Sequence, residues 1–219
     1  MKYRELKEHY LENKDEIEER LEEFRETGDS GDKRLFKELV FVILTSQTEA
    51  QKAWKATQEM DEKDLLLAGN REQIVEVLKR NGVQYENDKA SYIVENRKFL
   101  SQPTLSNPAK ELKLKEKIDK EDLEKSRDWL VENLKGIGMK GASHFLRNIG
   151  HGNGFAIISG HLLDKMFELG IIDSNEPPSN REEYRAIEQN FREFSQEIGI
   201  SAPALDLAIW SMETGEVFK

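Results

Sequence analysis

The sequence predicts an all-α protein. Apolar residues recur at helical spacing along most of the chain, whereas the apolar–polar alternation of a half-buried strand is nearly absent. The short apolar run at 155–158 is too isolated to support a sheet. Of the 219 residues, 37% are hydrophobic and 35% are charged, so the chain is long enough to bury a core and is polar but foldable.

Helix signals divide the first half of the chain into six segments. The segment 33–47 is apolar on nearly all sides, as a central buried helix would be, and Asn81-Gly82 is a good helix stop. The segment 101–110 holds two of the five prolines and predicts a loop. The predicted helices span 3–27 (ended by the glycines of 28–32), 33–47, 49–60, 61–68, 71–81 and 87–100.

The second half predicts five more helices, with glycine-rich turns among them. Ser159 is a suitable N-cap for the third of these helices, either Ser179 or Asn180 for the fourth, and Pro203 is tolerated in the first turn of the last. The predicted spans are 121–134, 140–149, 160–169, 180–198 and 202–214.

Composition excludes several kinds of site. The chain has no cysteine, which rules out disulfides, thiolate zinc sites, cysteine nucleophiles and cysteine-ligated iron–sulfur clusters. The N-terminus lacks a secretory signal, and no apolar run approaches the ~20 residues of a membrane span. His144, His151 and His161 are spaced unlike a compact metal-ligand motif. We therefore expect an intracellular, cytoplasmic protein with no membrane segment and no metal centre.

The distribution of charge is uneven. The net charge is −10, and the segments 1–30 and 176–219 each contribute −5, so the residues between them are neutral. Within that neutral part, 133–150 holds Lys135, Lys140 and Arg147 and no acidic residue. An acidic protein is not the default nucleic-acid binder, but this basic island leaves DNA binding open, with few phosphate contacts and a shallow salt dependence.

The motif LKGIGMKGA at 134–142 carries the most information. Gly136 and Gly138 permit a positive φ and the close approach of a foreign backbone, and the amides at the start of the next helix suit a phosphate. Ile137 would fill the gap between the two helices, and Lys135 suits an anionic partner. This pattern is typical of the helix–hairpin–helix class, which holds one DNA strand without reading its sequence. A glycine-rich turn without ligand is the alternative.

Lys140 lies in the first turn of the helix after this motif. A helix N-terminus disfavours a positive charge, and partial burial would lower the pKa of the amine further. Both effects favour the neutral amine that a Schiff-base nucleophile requires. The alternative is an ordinary solvated lysine.

Three stretches resemble a known family. GIGMKGASHFLRNIG at 136–150 resembles the helix–hairpin–helix DNA glycosylase superfamily. Together with FAII and the histidine at 155–161, and with LDLAIWSMETGEVFK at 205–219, it is similar to the archaeal-type 8-oxoguanine DNA glycosylase/lyases. The similarity spans about 33–219. It implies one two-lobed helical glycosylase unit over 1–219 with a cleft between the lobes. The lobes would be about 31–115 and, for the helix–hairpin–helix, about 120–172, with terminal helices in 1–30 and 173–219.

The resemblance also implies a function. The enzyme would flip 8-oxoguanine out of double-stranded DNA, displace it by attack of Lys140 on C1′ to form a Schiff base, and cut the strand by β-elimination, as an AP lyase does at abasic sites. It would need no cofactor, although a monovalent cation at the hairpin carbonyls would be in keeping with the superfamily. We expect a monomer associated with the nucleoid.

Further residues take roles from the resemblance. The hairpin residues Lys135, Gly136, Ile137 and Gly138 would hold the DNA backbone, and His161 would touch DNA. Gln47 would fill the gap left by the flipped base, or else end a helix by bonding nearby backbone. The base pocket would contain Trp210, Phe218 and Lys219, since chains of this class end at a lysine.

One position departs from the family. The family has an aspartate within an Ile-Asp-Arg-His string, where this chain reads Ile158-Ser159-Gly160-His161. A neutral hydroxyl at Ser159 cannot supply the negative charge that stabilises the transition state, and such a loss typically costs about two to three orders of magnitude in rate. Asp164 is a poor geometric substitute.

Several outcomes are consistent with this departure. The protein could be a slow enzyme that acts mainly on abasic sites, could use another carboxylate, or could be a catalytically weakened or inactive module that binds damaged DNA. A deliberate inactivation of the sequence is a further possibility. An all-α interaction domain that never meets DNA is the remaining alternative.

Overall fold

The protein is built from helices. The computed structural model describes residues 3–103 and 111–219, and within them the chain forms twelve α-helices, one short 3₁₀ helix and no strand. The predicted all-α class is therefore confirmed. The predicted loop at 101–110 lies outside the described residues from 104 onward.

Up to residue 133 the predicted helices occur in order, except that two helices replace the one predicted over 3–27, and the 3₁₀ helix was not predicted. Their bounds are α1 Arg4–Glu12, α2 Lys14–Asp29, α3 Asp32–Thr45, α4 Ala50–Glu62, α5 Leu65–Ala68, α6 Arg71–Arg80, α7 Glu86–Leu100, the 3₁₀ helix Lys115–Lys117 and α8 Leu123–Asn133. The remaining helices are α9 Met139–Asn148, α10 Gly160–Glu168, α11 Arg181–Ile198 and α12 Ala202–Thr214.

The chain divides into two compact units. The central unit is 29–145, and the terminal unit combines 1–28 with 146–219. One division falls at the end of α2 and the other inside α9, so a single helix contributes to both units. The lobes expected at about 31–115 and 120–172 stay a prediction.

The core of the central unit is built around α3. Nine of its 14 residues are buried, on all sides of the helix, and α4, α5 and α7 pack against it. Each buried Leu or Phe side chain stabilises the fold by roughly 1.5–3 kcal/mol relative to an exposed one. This confirms the central buried helix that the apolar segment 33–47 predicts.

The core of the terminal unit is built around α12, which packs against α1, α10 and α11. Its buried side chains include Leu205, Leu207 and Ile209. A buried ion pair joins Arg147 Nη1 and Asp206 Oδ2 at 2.6 Å, and the Arg147 guanidinium also lies 5.1 Å from the centre of the Phe24 ring. Charge pairing of this kind makes the burial of both groups tolerable.

The segment 3–27, predicted as one helix, forms two helices, α1 and α2. The helix is interrupted at Asn13, the C-cap of α1. The backbone N–H and the side-chain Nδ2 of Asn13 both donate to the carbonyl of His9, at 3.1 and 2.9 Å. Helix α2 then continues through Gly28. It ends at Asp29, inside the motif 28–32 that predicts the break. A Cβ at Gly28 would lie 2.1 Å from the carbonyl oxygen of Ile149, so this glycine also permits close packing.

The predicted boundary between helices at Met60 and Asp61 is also wrong. Helix α4 continues through Glu62, and the break occurs at Asp64, which adopts φ +56° ahead of α5. Asp61 stays helical and bonds Lys37 Nζ at 2.7 Å. The apolar pattern of 49–68 has the same helical spacing on both sides of the break and therefore did not locate it.

Candidate functional site

The hairpin is the turn Lys135–Gly138 between α8 and α9. Gly136 adopts φ +77°, and a Cβ there would lie 2.6 Å from Tyr92 Cδ2, so both its conformation and its surroundings require glycine. Gly138 does not adopt a positive φ, and a Cβ there would meet nothing within 4 Å. The expectation of left-handed freedom is thus correct for Gly136 and wrong for Gly138, which instead leaves open space at the start of α9.

Ile137 fills the interior side of this turn, as the sequence predicts. It is buried, and a Cβ at Gly141 would lie 3.5 Å from Ile137 Cδ1 and 3.6 Å from Val42 Cγ1. The side chain therefore anchors the turn to the core of the central unit. Any contact of Ile137 with an outside ligand has to come from its backbone.

Lys140 is the second residue of α9. Its side chain keeps access to solvent, yet desolvation by the surrounding protein lowers its pKa below that of an ordinary lysine. Its place at a helix N-terminus acts in the same direction, because the helix dipole disfavours a positive charge there. Both effects raise the fraction of neutral amine, the nucleophilic form.

Gln47 lies beyond the end of α3, which stops at Thr45, so the expectation that it ends the buried helix is wrong. Gln47 is exposed and adopts φ +51°, a conformation that residues other than glycine rarely take. The next residue, Thr48, accepts a hydrogen bond at its Oγ1 from the backbone N–H of Gln84, at 3.2 Å.

This hydrogen bond places Tyr85 beside the Gln47 loop. Tyr85 was not among the residues predicted from the sequence. Tyr85 follows Gln84, is 55% exposed, and also adopts a left-handed conformation at φ +56°. Backbone strain of this kind clusters at functional sites, so Tyr85 is a candidate for binding. The sequence carried no signal for it, because an isolated tyrosine before a helix is unremarkable.

Ser159 is the N-cap of α10 in the terminal unit, as predicted. Its Oγ accepts the backbone N–H of Leu162 at 3.2 Å. The preceding segment is fixed by one face of α11. Tyr184 OH donates to the carbonyl of Ala156 at 2.6 Å, and Glu188 Oε1 accepts the N–H of Ala156 at 3.0 Å. These long-range bonds set where the cap lies, and no local sequence pattern indicates them.

His161 and Trp210, two of the predicted site residues, are brought together within the terminal unit. Their rings meet edge to face with centroids 5.2 Å apart, His161 being exposed and Trp210 partly buried. Within the described residues, the buried indole Nε1 of Trp210 has no hydrogen-bond acceptor. The indole N–H is therefore a buried donor that its surroundings leave unsatisfied.

Phe218 and Lys219 follow α12 and are both partly buried. Gly215, at φ +82°, ends α12, and the buried side chain of Val217 anchors the segment that follows. The structure thus holds this short tail against the terminal unit.

Neither a metal-binding cluster nor a membrane-spanning helix occurs within residues 3–103 and 111–219. No group of three or more His, Asp or Glu side chains there could hold a metal ion. None of the described helices is both long and apolar enough to cross a membrane.

An all-α fold with a glycine hairpin between α8 and α9 and a lysine in the first turn of α9 defines a protein of the helix–hairpin–helix class. A sequence profile of the Ogg-HhH family, described as 8-oxoguanine DNA glycosylase, matches residues 17–200. The chain therefore belongs to the 8-oxoguanine DNA glycosylase family.

Curated relatives support the same assignment. The chain is 34% identical to an 8-oxoguanine DNA glycosylase/AP lyase of Fusobacterium nucleatum, with 99% of this chain and 97% of the relative covered. It is 36% identical to the protein of the same name from Methanocaldococcus jannaschii, with 94% and 93% covered.

Solved structures agree with the fold. The 8-oxoguanine DNA glycosylase of Thermotoga maritima superposes with a TM-score of 0.86 at 34% identity, with 99% of this chain and 97% of that chain covered. The Methanocaldococcus jannaschii 8-oxoguanine glycosylase/lyase, solved with a 15mer DNA containing 8-oxoguanine, superposes with a TM-score of 0.82 at 33% identity, with 97% and 98% covered.

Proposed function

We propose that this protein is a bifunctional 8-oxoguanine DNA glycosylase and AP lyase whose nucleophile is Lys140. The observation that carries the proposal is the position of this lysine, one residue into a helix that begins directly after the hairpin, with a pKa lowered by desolvation. Membership of the glycosylase family and a relative solved with DNA containing 8-oxoguanine support the choice of substrate.

The hairpin supplies the binding step. The first amides of α9 have no acceptor inside the helix, and Gly138 leaves the space before them open, so a DNA phosphate can approach the backbone. Lys135, which is exposed, adds one positive charge beside them. Contacts of this type hold DNA without reading its sequence, which suits an enzyme that must scan duplexes for damage.

The loop that carries Gln47, also in the central unit, would support base flipping. The damaged nucleotide leaves the stack, and Gln47 fills the vacated position. Tyr85, next to this loop and largely exposed, offers an aromatic face to a neighbouring base. The flipped base would enter a pocket that includes Trp210, whose buried indole N–H lacks an acceptor among the described residues, together with Phe218 and Lys219. His161, against the Trp210 ring, would touch the DNA.

Lys140 then carries the chemistry. Its neutral amine forms a bond to C1′ while the bond from C1′ to the base breaks, and the departing base takes the electron pair and a proton. Opening of the sugar ring gives the Schiff base. Loss of a 2′ proton expels the 3′ phosphate by β-elimination, which cuts the strand.

We expect the protein to act on DNA inside the cell, in association with the nucleoid, as a monomer. No step above requires a cofactor. Two hairpin carbonyls already accept hydrogen bonds, that of Lys135 from Asn96 and that of Gly138 from Ala142, so a monovalent cation would have to share them.

The test is an excision assay on labelled duplexes that contain 8-oxoguanine or guanine. We expect the protein to release free 8-oxoguanine and to cut the same strand without added alkali. Lys140→Gln should abolish both. Lys125→Gln is the matched control, because Lys125 is an exposed lysine of the central unit outside the site. Base release by Lys140→Gln at the parent rate would contradict the assignment.

Ser159 favours a second candidate, a module that binds damaged DNA without excising the base. Its hydroxyl is neutral and already accepts the N–H of Leu162, so it offers no charge to a cationic transition state. This candidate predicts tight binding to 8-oxoguanine or abasic duplexes with neither base release nor strand cleavage.

A further inference from the structure

One face of α7 contacts two separate segments that the proposed function assigns to DNA. Lys89, Tyr92 and Asn96 are three and four residues apart, which places them on the same side of the helix. Asn96 and Tyr92 meet the hairpin, and Lys89 meets the loop that carries Gln47. All of these residues lie in the central unit.

Asn96 fixes the peptide that opens the hairpin. Its Nδ2 donates to the carbonyl of Lys135 at 2.9 Å, and its Oδ1 accepts the N–H of Lys135 at 2.8 Å. The side chain is 1% exposed, so these bonds are shielded from water. The ring of Tyr92 packs against the next residue, Gly136, and leaves no room for a Cβ there.

Lys89 holds the segment after α3 in a comparable way, through three hydrogen bonds that are called the Lys89 clamp below. Its Nζ donates to the carbonyls of Leu44 and Ser46, at 3.0 and 2.6 Å, and to Thr48 Oγ1 at 3.0 Å. The three bonds use all three donors of an ammonium group. Burial lowers the pKa of Lys89 to about 8, which still leaves the side chain charged at neutral pH.

The clamp surrounds a strained residue. Gln47, at φ +51°, lies between Ser46 and Thr48, both of which Lys89 holds. A left-handed conformation at a residue other than glycine persists where its surroundings over-determine it. Thr48 also accepts the N–H of Gln84. The Lys89 clamp is thereby linked to the residue before Tyr85, whose backbone is strained.

We propose that Lys89 and Asn96 are positioning residues that hold the Gln47 loop and the hairpin in their DNA-binding conformations without touching DNA themselves. The inference rests on the proposed function, since it assumes that these two segments meet DNA. It adds α7, which has no direct role in that proposal, as the element that fixes both.

The chain offers a matched control on the same helix. Arg97 donates to the carbonyls of Leu65, Leu66 and Gly69, at 3.2, 3.1 and 2.6 Å. It thus ties α7 to α5 and its C-cap through as many bonds as Lys89 makes, but at a segment with no proposed DNA contact. Loss of Arg97 shows how the loss of a partly buried cation that holds three carbonyls affects the fold alone.

The experiment compares Lys89→Met, Asn96→Leu and Arg97→Met at a temperature where each variant is folded. Affinity is measured by fluorescence anisotropy on a duplex with a stable abasic-site analogue. Flipping is followed by the emission of 2-aminopurine placed beside the lesion. We expect the first two variants to bind about tenfold more weakly and to lose most of the 2-aminopurine increase. Arg97→Met should bind within about twofold of the parent despite a similar fall in melting temperature.

If Lys89→Met or Asn96→Leu fails to fold, two less disruptive variants test the same inference. Lys89→Arg retains cationic donors and should restore binding and the 2-aminopurine signal. Thr48→Val removes one acceptor from Lys89 and the bond to Gln84 at a partly exposed position, and should weaken binding by about threefold.

Two results would overturn the inference. One leaves the proposed function intact and the other removes it. Parent-like binding and 2-aminopurine emission in Lys89→Met, Asn96→Leu and Thr48→Val, with weakened binding in Lys135→Ala, would refute the role of α7 and leave the proposed function intact. A parent protein that binds no lesion duplex would remove the proposed function and this inference with it.

Discussion

Ser159 Oγ accepts the backbone N–H of Leu162 at 3.2 Å, so the residue that the resemblance aligns with an aspartate caps helix α10. Aspartate and asparagine cap helices as well as serine does. A carboxylate at position 159 would therefore fit the same backbone, and its negative charge would be favoured at the helix N-terminus. Serine in place of aspartate at position 159 would therefore change the charge of this cap and leave its backbone geometry in place.

We predict that Ser159→Asp raises the rate of base excision by about two orders of magnitude, because the resemblance assigns this position a carboxylate that stabilises the positively charged transition state. Single-turnover release of 8-oxoguanine measures the change. Ser159→Asn is the matched control, since it keeps the cap and the size of the side chain but adds no charge. Equal rates for the two variants would show that charge at this position does not limit excision.

The two hairpin glycines should respond differently to alanine. Gly136→Ala places a Cβ against Tyr92 at a positive φ and should destabilise the fold by at least about 1 kcal/mol. Gly138→Ala meets open space and should leave the melting temperature unchanged, but should weaken DNA binding because the added methyl group occupies the approach to α9. Thermal melting and anisotropy separate the two effects. A Gly138→Ala variant that binds like the parent would place the phosphate elsewhere.

The salt dependence of binding should be shallow and should depend on Lys135. Each phosphate contact contributes about 0.9 to the slope of log affinity against log salt, so Lys135→Ala should reduce that slope by about 0.9. The control Lys125→Ala, at an exposed lysine of α8, should leave it unchanged. Titrations of one duplex over a series of salt concentrations measure both slopes, and an unchanged slope in Lys135→Ala would remove Lys135 from the interface.

The pH dependence of Schiff-base formation should follow Lys140. The neutral amine reacts, so the rate rises with pH and levels off above the pKa, and desolvation shifts this midpoint below the 10.5 of an ordinary lysine. Rates of borohydride-trapped adduct on abasic DNA, measured over a range of pH, give the midpoint. A rate that keeps rising up to pH 10.5 would indicate an ordinary solvated lysine.

The sequence predicted those features that depend on local pattern. The apolar segment of α3, the cap at Ser159 and the turn at 135–138 each follow from residues close together in the chain, and each is present. The break at Asn13 was missed because the apolar spacing continues across it. The packing role of Gly28 was missed because its neighbour, the carbonyl of Ile149, is distant in sequence.

The supports of the candidate site could not be predicted for the same reason. Lys89 is 41 residues from Thr48, and Asn96 is 39 residues from Lys135. In sequence these are an unremarkable lysine and asparagine of a helix. Only the fold brings their donors and acceptors to the backbone of the hairpin and of the Gln47 loop.

The most direct test of the account is borohydride trapping on duplexes that contain 8-oxoguanine, an abasic site or guanine. Reduction converts a Schiff base into a stable covalent bond between protein and DNA. We expect an adduct on the first two duplexes and none on guanine, with Lys140→Gln forming no adduct at all. An adduct that persists in Lys140→Gln, or binding of every lesion duplex without any adduct, would contradict Lys140 as the nucleophile.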